Sequence, residues 1–368
     1  MVTRKIGIEF DVNPYEANEL YFEEDDYAET NEGDLDSIFK LLYKKRGGHI
    51  PLSVTWELTN HCNFLCPFCY IHNECKSKGD NEVFSHRFYN IKNDIDLLVD
   101  DGMLICYLTG GECLLHPDFI EIFTYLKNKG VLVAVLTNGA LLEEKHFELF
   151  AKYKPYKVEV SVYGINRTFV KKDSKEIANV VLNNILRLKE NGINVIAKIP
   201  YNSCTASEFG SVREWCEKQD IPFYYSDELF EKYDGTANNQ FTKNLPFEES
   251  NNKEIEMKYG FKKIFDCSAG RYSLVISYDG FVRPCFAFYR INAPEWNFDI
   301  SDHGIMVAYN SMREKIKPLI NKKLPYCKGC NNYSFCQECL ATQCCEQDVE
   351  FYMREKCRQW DRNESGKE

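Results

Sequence analysis

The stretch TNHCNFLCPFCY at residues 59–70 determines most of what the sequence reveals about this chain. Its cysteines, Cys62, Cys66 and Cys69, have the spacing C-x3-C-x2-C. Thiolates this close on one loop can hold three irons of a cubane iron–sulfur cluster, and the fourth iron then stays open to a cofactor or substrate. A zinc site is the alternative, because clustered cysteines also bind zinc.

Composition restricts the class of protein. The chain has 368 residues, of which 44% are hydrophobic, and a net charge of −11. This acidic balance argues against nucleic acid as a partner, since phosphate binding needs a basic surface. No signal peptide and no long apolar segment is evident, so we expect no membrane association. The 17 cysteines then indicate metal-bound thiolates in a reducing cytoplasm.

From residue 52 onward, apolar strands alternate with helical periodicity. Strands are predicted at residues 52–58, 103–108, 131–136, 157–163, 193–199 and 221–225. Helices are predicted at residues 88–99, 117–129, 143–153, 176–190 and 207–219. Each connection is long enough for a parallel crossover, which predicts an α/β fold with a parallel sheet covered by helices. The cysteine loop, Gly110-Gly111-Glu112 and Thr137-Asn138-Gly139 would all lie at the carboxyl ends of strands.

The cysteine spacing followed by an aromatic residue, Tyr70, resembles the signature of the radical S-adenosylmethionine (radical SAM) enzymes. The resemblance implies a partial (β/α)6 barrel, a [4Fe–4S] cluster on Cys62, Cys66 and Cys69, and S-adenosyl-L-methionine bound at its open iron. It also implies cofactor contacts from other strand ends. The candidates are Tyr70, Gly110, Gly111, Glu112, Ser161 and Lys198.

The C-terminal cysteines resemble the SPASM extension of radical SAM enzymes, which binds two auxiliary [4Fe–4S] clusters, three clusters in all. By position, one auxiliary cluster would use Cys327, Cys330, Cys336 and Cys357, and the other Cys267, Cys285 and Cys339. The spacing Cys336-x2-Cys339 is one residue shorter than the family pattern, so either Cys344 or Cys345 is the fourth ligand or the inner cluster keeps an iron open to a substrate thiolate. Zinc ribbons are the alternative for these paired cysteines.

Two further patterns have a plain structural interpretation. Asp279-Gly280, between Tyr278 and Arg283, predicts a β-hairpin turn, with a charge beside the inner cluster as the alternative. Cys106 is predicted to be a core residue, while Cys113 is a minor candidate for an active-site thiol because it follows Glu112.

The resemblance divides the chain into an acidic extension at 1–50, a radical SAM core at 51–226, a linker at 227–265, a Cys-rich SPASM domain at 266–360 and a tail at 361–368. It implies that a 5′-deoxyadenosyl radical oxidatively modifies a side chain of a ribosomally made peptide, forming a thioether or a C–C or C–O crosslink. Expected partners are a peptide or protein substrate, a flavodoxin- or ferredoxin-type electron donor, and a separate leader-binding protein unless the acidic extension serves. Alternatives are a sulfatase-type formylglycine maturase, a peptide epimerase or decarboxylase, a small-molecule radical SAM enzyme and a zinc-ribbon interaction module.

Overall fold

A computed structural model of the chain describes residues 51–71, 86–166, 174–226, 229, 232, 238–241, 268–289 and 294–318. The predicted acidic extension at 1–50, most of the predicted linker and the predicted ligands Cys267, Cys327, Cys330, Cys336, Cys339 and Cys357 lie outside the described residues. Cys285 is the predicted auxiliary-cluster ligand that falls within them.

The described core alternates strands and helices in the predicted order. The strands are β1 (Ser53–Glu57), β2 (Ile105–Thr109), β3 (Leu132–Thr137), β4 (Lys157–Ser161), β5 (Val195–Pro200) and β6 (Phe223–Ser226). The helices between them are α1 (Phe88–Asp100), α2 (Phe119–Asn128), α3 (Glu144–Lys152), α4 (Ser174–Glu190) and α5 (Ala206–Lys218). All six strands are parallel and lie side by side from β6 to β1. The predicted arrangement of β/α units is therefore confirmed.

One face of this sheet is packed against the helices. Val54, Val133 and Val158 alternate with polar-face residues along their strands and are fully buried. They join one hydrophobic core with Ile95 of α1 and Phe123 of α2. Such period-2 strands and period-3.6 helices bury a continuous apolar layer, in which each fully buried aliphatic side chain contributes about 2 kcal/mol.

The opposite face of the sheet is polar and concave. The Lys157 ammonium of β4 lies 5.4 Å from the ring centroid of Tyr107 in β2. The Tyr224 hydroxyl of β6 donates to Glu159 of β4 at 2.5 Å. Each of these contacts spans an intervening strand, and neighbouring strands lie about 4.8 Å apart, so long side chains meet across roughly 10 Å, as on the inner face of a curved sheet. The small side chain of Ala134, paired with Tyr107 and with Lys157, leaves room for the first of these contacts.

Beyond β1 the sheet continues with a segment from the C-terminal third of the chain. β7 (Ser273–Ile276) pairs in parallel with β1, and β8 (Phe281–Arg283) and β9 (Phe298–Asp299) follow in antiparallel order. Two helices, α6 (Ile300–His303) and α7 (Ile305–Ile316), come after β9. The predicted hairpin is confirmed, since β7 and β8 flank the turn at Gly280. The pairing of β7 with β1 was not predicted.

No helix within the described ranges is both long enough and apolar enough to cross a membrane.

Candidate functional site

The cysteine loop leaves the carboxyl end of β1, and its three cysteines pack into one cluster of side chains with Phe64 and Phe68. Cys66 is buried, whereas Cys62 and Cys69 are half-buried. Burial raises the pKa of the Cys66 thiol well above its ordinary value, and the neighbouring Cys69 and Cys62 raise it further. Three thiolates could not share this loop without positive charge between them. The donor set therefore fits a metal cluster, because bound iron supplies that charge and deprotonates the thiols.

Two glycines allow the strand end of β2 to approach the cysteine loop. The Gly111 amide donates to Thr59 O and the Glu112 amide to His61 O, each at 2.7 Å. A Cβ on Gly110 would lie 2.3 Å from Thr59 O, and one on Gly111 would lie 2.2 Å from His61 O. No side chain fits at either position, so glycine is required here for contact between two main-chain segments. The close approach of these glycines to a ligand, expected from the sequence, stays a prediction.

Glu112 is buried under this turn, with 1% of its surface exposed. Its Oε1 accepts hydrogen bonds from Thr137 Oγ1 at 2.8 Å and from the Leu114 amide at 3.1 Å. Its Oε2 accepts from the Asn138 amide at 2.7 Å. Burial raises the pKa of Glu112 above its ordinary value, although these hydrogen bonds act in the opposite direction. The carboxylate thus ties the end of β2 to the end of β3.

Asn138 continues the connection from β3 to the cysteine loop. Its Nδ2 donates to Asn63 Oδ1 at 2.7 Å and lies 3.8 Å from Cys62 Sγ. Its Oδ1 accepts from the Ala140 amide at 3.0 Å. The Phe64 amide also donates to Cys62 Sγ, at 3.4 Å. Cys62 therefore lies among N–H donors, which is the environment that a cluster-bound thiolate needs.

Aromatic side chains form a wall behind Cys66. The Tyr163 ring centroid lies 6.1 Å from that of Phe64 and 6.0 Å from that of Phe68. Phe241, from the segment predicted to be a linker, packs edge-on against Phe68 at 6.2 Å. This wall keeps water from one side of the thiols. The Tyr163 hydroxyl is hydrogen-bonded to Cys66 and partly opposes the rise in the pKa of that thiol caused by burial.

Tyr70, a predicted cofactor contact, occupies the other side of the loop. Its hydroxyl donates to Glu57, which is fully buried at the end of β1. Its ring packs edge-on against Phe286 with centroids 5.6 Å apart. Phe286 follows the half-buried Cys285, so the loop and this predicted auxiliary ligand lie on neighbouring segments of the chain.

The remaining predicted contacts, Ser161 and Lys198, stand side by side on the polar face. They are paired in the register of β4 and β5, and both are half-buried. Below them, Lys157 Nζ lies 3.0 Å from Glu159 Oε2. Burial works against ionisation of Glu159, but Lys157, Lys198 and the Tyr224 hydroxyl together lower its pKa below the ordinary value. On this face the negative charge of Glu159 is therefore balanced by the nearby positive charges of Lys157 and Lys198.

Other predicted residues have structural roles in the described part of the chain. Arg283 is buried and hydrogen-bonded to Asn297 at 2.7 Å and to Asp279 at 3.3 Å, which supports the hairpin. Cys106 is fully buried, as predicted. Cys113 is also fully buried and its thiol donates to Leu136 O at 3.4 Å, which does not favour a role as an exposed reactive thiol.

The residues that hold the loop in place were not identified from the sequence. Asn63, Asn138 and Tyr163 were not singled out, although Thr137-Asn138-Gly139 was placed at a strand end beside the cysteines. Glu57 was also missed. An acidic residue closing an apolar strand directly before the cysteine loop was the available signal for it.

The comparison with family models matches residues 56–202 to the radical SAM superfamily. The matched range begins in β1 and ends just after β5, so it contains the cysteine loop and all the predicted cofactor contacts.

Two curated relatives come from Bacillus subtilis (strain 168). The subtilosin biosynthesis protein AlbA, named for an antilisterial bacteriocin, is 28% identical over 267 residues, covering 65% of this chain and 56% of AlbA. The sporulation killing factor maturation protein SkfB is 27% identical over 258 residues, covering 64% of this chain and 60% of SkfB. The matched region thus spans little more than half the length of these relatives.

Among solved structures, Streptococcus suis SuiB bound to S-adenosylmethionine superposes with a TM-score of 0.59 at 16% identity, covering 86% of this chain and 80% of SuiB. A second SuiB structure, bound to the precursor peptide SuiA, gives the same TM-score at 15% identity and covers 86% of this chain and 78% of that one. At this identity the likeness concerns the fold.

Proposed function

Residues 56–202 form a radical SAM domain, and on that premise we propose that the protein is a radical SAM/SPASM oxidoreductase that modifies a side chain of a ribosomally made peptide. The product would be a thioether or a C–C or C–O crosslink. One observation carries the proposal: the cysteines of the radical SAM loop lie at the carboxyl edge of the parallel sheet. Two relatives of the chain are named for bacteriocin biosynthesis and for killing-factor maturation, which supports a peptide as the substrate.

In this proposal Cys62, Cys66 and Cys69 hold the [4Fe–4S] cluster that the family implies. When bound, such a cluster would hold S-adenosyl-L-methionine and supply the electron for its reductive cleavage. The protein's own contribution is to position the cofactor and exclude water. The aromatic wall of Phe64, Phe68 and Tyr163 supports this role, since it shields the thiols on one side.

The placement of the candidate side chains around this edge supports the proposed cofactor contacts. Gly110 and Gly111 have no side chains and so allow close approach to the main chain at this turn. Glu112 Oε2 accepts one hydrogen bond among the described residues, so it retains a lone pair for an ammonium group. Ser161 and Lys198, side by side on the concave face, would contact the ribose and the carboxylate. Tyr70 completes the set from the cysteine loop.

The auxiliary clusters are a further part of the proposal. Two additional [4Fe–4S] clusters would use the C-terminal cysteines, with Cys344 or Cys345 as a candidate fourth ligand of the inner one. They would take the electrons that leave the substrate. A flavodoxin- or ferredoxin-type donor would reduce the first cluster. A separate leader-binding protein or the acidic segment at 1–50 would recognise the precursor peptide.

The first experiment measures iron and cofactor cleavage. Anaerobic reconstitution is expected to give roughly twelve irons per chain, the content of three [4Fe–4S] clusters. Replacing Cys62, Cys66 and Cys69 with alanine should remove roughly four of them and abolish reductive cleavage of S-adenosylmethionine. Cys204→Ala is the matched control, because Cys204 packs against the same aromatic wall outside the motif. A parent protein that binds zinc and no iron would refute the proposal.

The second experiment tests the substrate class. Precursor-like peptides encoded beside the gene are incubated with the reduced enzyme and S-adenosylmethionine and analysed by mass spectrometry. A crosslink removes a pair of hydrogens from the peptide and fragments differently across the bridged residues. Epimerisation leaves the mass unchanged, and formylglycine formation converts a single Cys or Ser into an aldehyde. Either of those two results would overturn the crosslinking proposal and leave the radical SAM assignment standing.

A further inference from the structure

The side chain of Asn138 reaches from the end of β3 to the sulfur of Cys62. Its Nδ2 lies 2.7 Å from Asn63 Oδ1 and 3.8 Å from Cys62 Sγ. We propose that Asn138 is a positioning residue that donates an N–H to the Cys62 thiolate and so raises the reduction potential of the cluster on this loop. This inference rests on the proposed function, because it requires that cluster.

The orientation of the Asn138 amide is fixed by its neighbours. Oδ1 accepts from the Ala140 amide at 3.0 Å, a contact that only an oxygen can make. With the amide reversed, an NH₂ group would face the Ala140 N–H and an oxygen would face Asn63 Oδ1. The contact with the Ala140 N–H would be repulsive whichever way the Asn63 amide is oriented. The donor hydrogens of Nδ2 must therefore point at the cysteine loop.

The backbone beneath Asn138 is also held firmly. Only 6% of the residue is exposed, and its amide donates to Glu112 Oε2 at 2.7 Å. Thr137 Oγ1 accepts from the Gly139 amide at 3.0 Å while it donates to Glu112 Oε1 at 2.8 Å. The strand end cannot move away from the loop without breaking this buried network, and each broken bond would leave a buried polar group without its partner.

The electrostatic effect on a cluster follows from the direction of the dipoles. Cys62 Sγ accepts from the Phe64 amide at 3.4 Å as well as from Asn138. Reduction adds negative charge that is shared with the ligand sulfurs, and N–H donors stabilise that charge. Hydrogen bonds to cluster sulfurs are among the factors that set the potential of iron–sulfur proteins. Loss of the Asn138 donor should therefore make the cluster harder to reduce.

The test compares two substitutions of Asn138, each of which removes the N–H donor but has a different side effect. Asn138→Ala removes the donor without adding charge, but it also removes the link to Asn63. Asn138→Asp keeps the shape and the Ala140 contact but replaces the Nδ2 donor beside Cys62 with an oxygen, so that of the two N–H donors described for this sulfur the Phe64 amide remains. Asn184→Asp is the matched control. Asn184 Nδ2 donates to Gly139 O at 2.8 Å, so the same substitution is made beside the same turn and away from the sulfur.

The readout is a reductive titration of the reconstituted holoenzyme followed by paramagnetic resonance. The signal that changes on addition of S-adenosylmethionine identifies the cluster on this loop. In both Asn138 variants we expect the equilibrium constant for reduction to fall about tenfold, a shift of about 59 mV to more negative potential for one electron. The Asn184 variant should keep the parental value.

The outcomes separate this inference from the proposed function. A parent protein without a cofactor-sensitive cluster would refute the proposed function. Parental potentials in both Asn138 variants would overturn the inference while the function stands. A shift in Asn138→Asp alone would also overturn it, because the added charge would then be the cause. If both variants lose iron yet their iron-free chains unfold like the control, Asn138 only holds the loop, and its role in the potential is wrong.

Discussion

Two buried carboxylates of the same sheet, Glu112 and Glu159, have pKa values shifted in opposite directions although burial raises the pKa of both. Glu112, at the end of β2, is held by the neutral donors Thr137, Asn138 and Leu114, and its pKa lies above the ordinary value. Glu159, on the concave face of β4, is 6% exposed and its pKa lies below the ordinary value.

The difference comes from charge and not from the depth of burial. Neutral donors satisfy the lone pairs of Glu112 but do not replace the solvation that its charge has lost. Lys157 and Lys198 provide opposite charge beside Glu159, and that attraction outweighs desolvation. The Glu112 site is therefore a mechanical connection between strand ends. The Glu159 site is an electrostatic one, in which opposite charges compensate each other on the polar face.

The largest expected effect concerns the close main-chain contact on the Glu112 side. Gly111→Ala would place a Cβ 2.2 Å from His61 O, so the turn and the cysteine loop must separate. We expect a loss of at least about 3 kcal/mol in unfolding free energy, together with loss of iron binding. Gly210→Ala in α5, where nothing lies within 4 Å of the new Cβ, should instead stabilise by about 1 kcal/mol. Denaturant unfolding measures the stability of the two variants, and iron analysis measures their cluster content. Equal stability and iron content in Gly111→Ala and Gly210→Ala would contradict the proposed clash with His61 O.

The next effect separates the two carboxylates directly. Glu159→Gln leaves Lys157 without its buried counter-charge, so we expect a loss of about 3 kcal/mol. In Glu112→Gln the new NH₂ group would face a main-chain N–H, which is unfavourable, but the buried negative charge is removed, which is favourable. The unfolding free energy should therefore fall by about 1.5 kcal/mol. The control is Glu144→Gln, which breaks the exposed pair with Arg187 and should cost less than about 0.5 kcal/mol. A larger loss at Glu112 than at Glu159 would reverse the comparison.

A smaller effect isolates one hydrogen bond of the Glu159 site. Tyr224→Phe removes the hydroxyl that donates to Glu159 at 2.5 Å, and we expect a loss of about 1.5 kcal/mol because the acceptor is a buried charge. Tyr125→Phe removes a similar bond to Asp96, at 2.7 Å on the surface, and should cost about 0.5 kcal/mol. Thermal unfolding of the two variants side by side provides the measurement. Equal losses would show that burial adds nothing to this bond.

The smallest effect is the slope of stability with pH. The contribution of Glu159 is present above its unfolded pKa and is lost as the pH falls through the lower folded pKa. The contribution of Glu112 is present below its unfolded pKa and is lost as the pH rises through the higher folded pKa. Between pH 7 and acid, the stability difference from the parent should shrink for Glu159→Gln and grow for Glu112→Gln. Denaturant unfolding at several pH values checks the signs, and slopes of the same sign would contradict both assignments.

Much of the fold was predictable because its determinants are local. Helix α1 follows from Ile91, Ile95 and Leu98 at helical spacing, and each strand from β1 to β6 appears as an apolar run between turn residues. The parallel arrangement then followed from the length of the connections. The position of the cysteine loop at a strand end followed from the same pattern.

The candidate site was predicted less completely. Its thiols and glycines form short motifs that a sequence displays directly. Asn138 and Tyr163 act across the sheet on residues far away in the chain, and an isolated Asn or Tyr after a strand carries no signal of that contact. The sequence draws attention to the two glycines, but their contact partner, the main chain at Thr59 and His61, is visible only after folding.

The sequence by itself determined the β/α order, the helix-facing apolar layer and the three-thiol loop, because each depends on periodicity or spacing within a few residues. The tertiary structure alone decided that β7 pairs with β1, that Asn138 reaches Cys62, and that Glu159 lies between two lysines. These are contacts between distant segments. Their free energy depends on which backbones the curved sheet brings within hydrogen-bonding distance, and on how much water is removed when it does so.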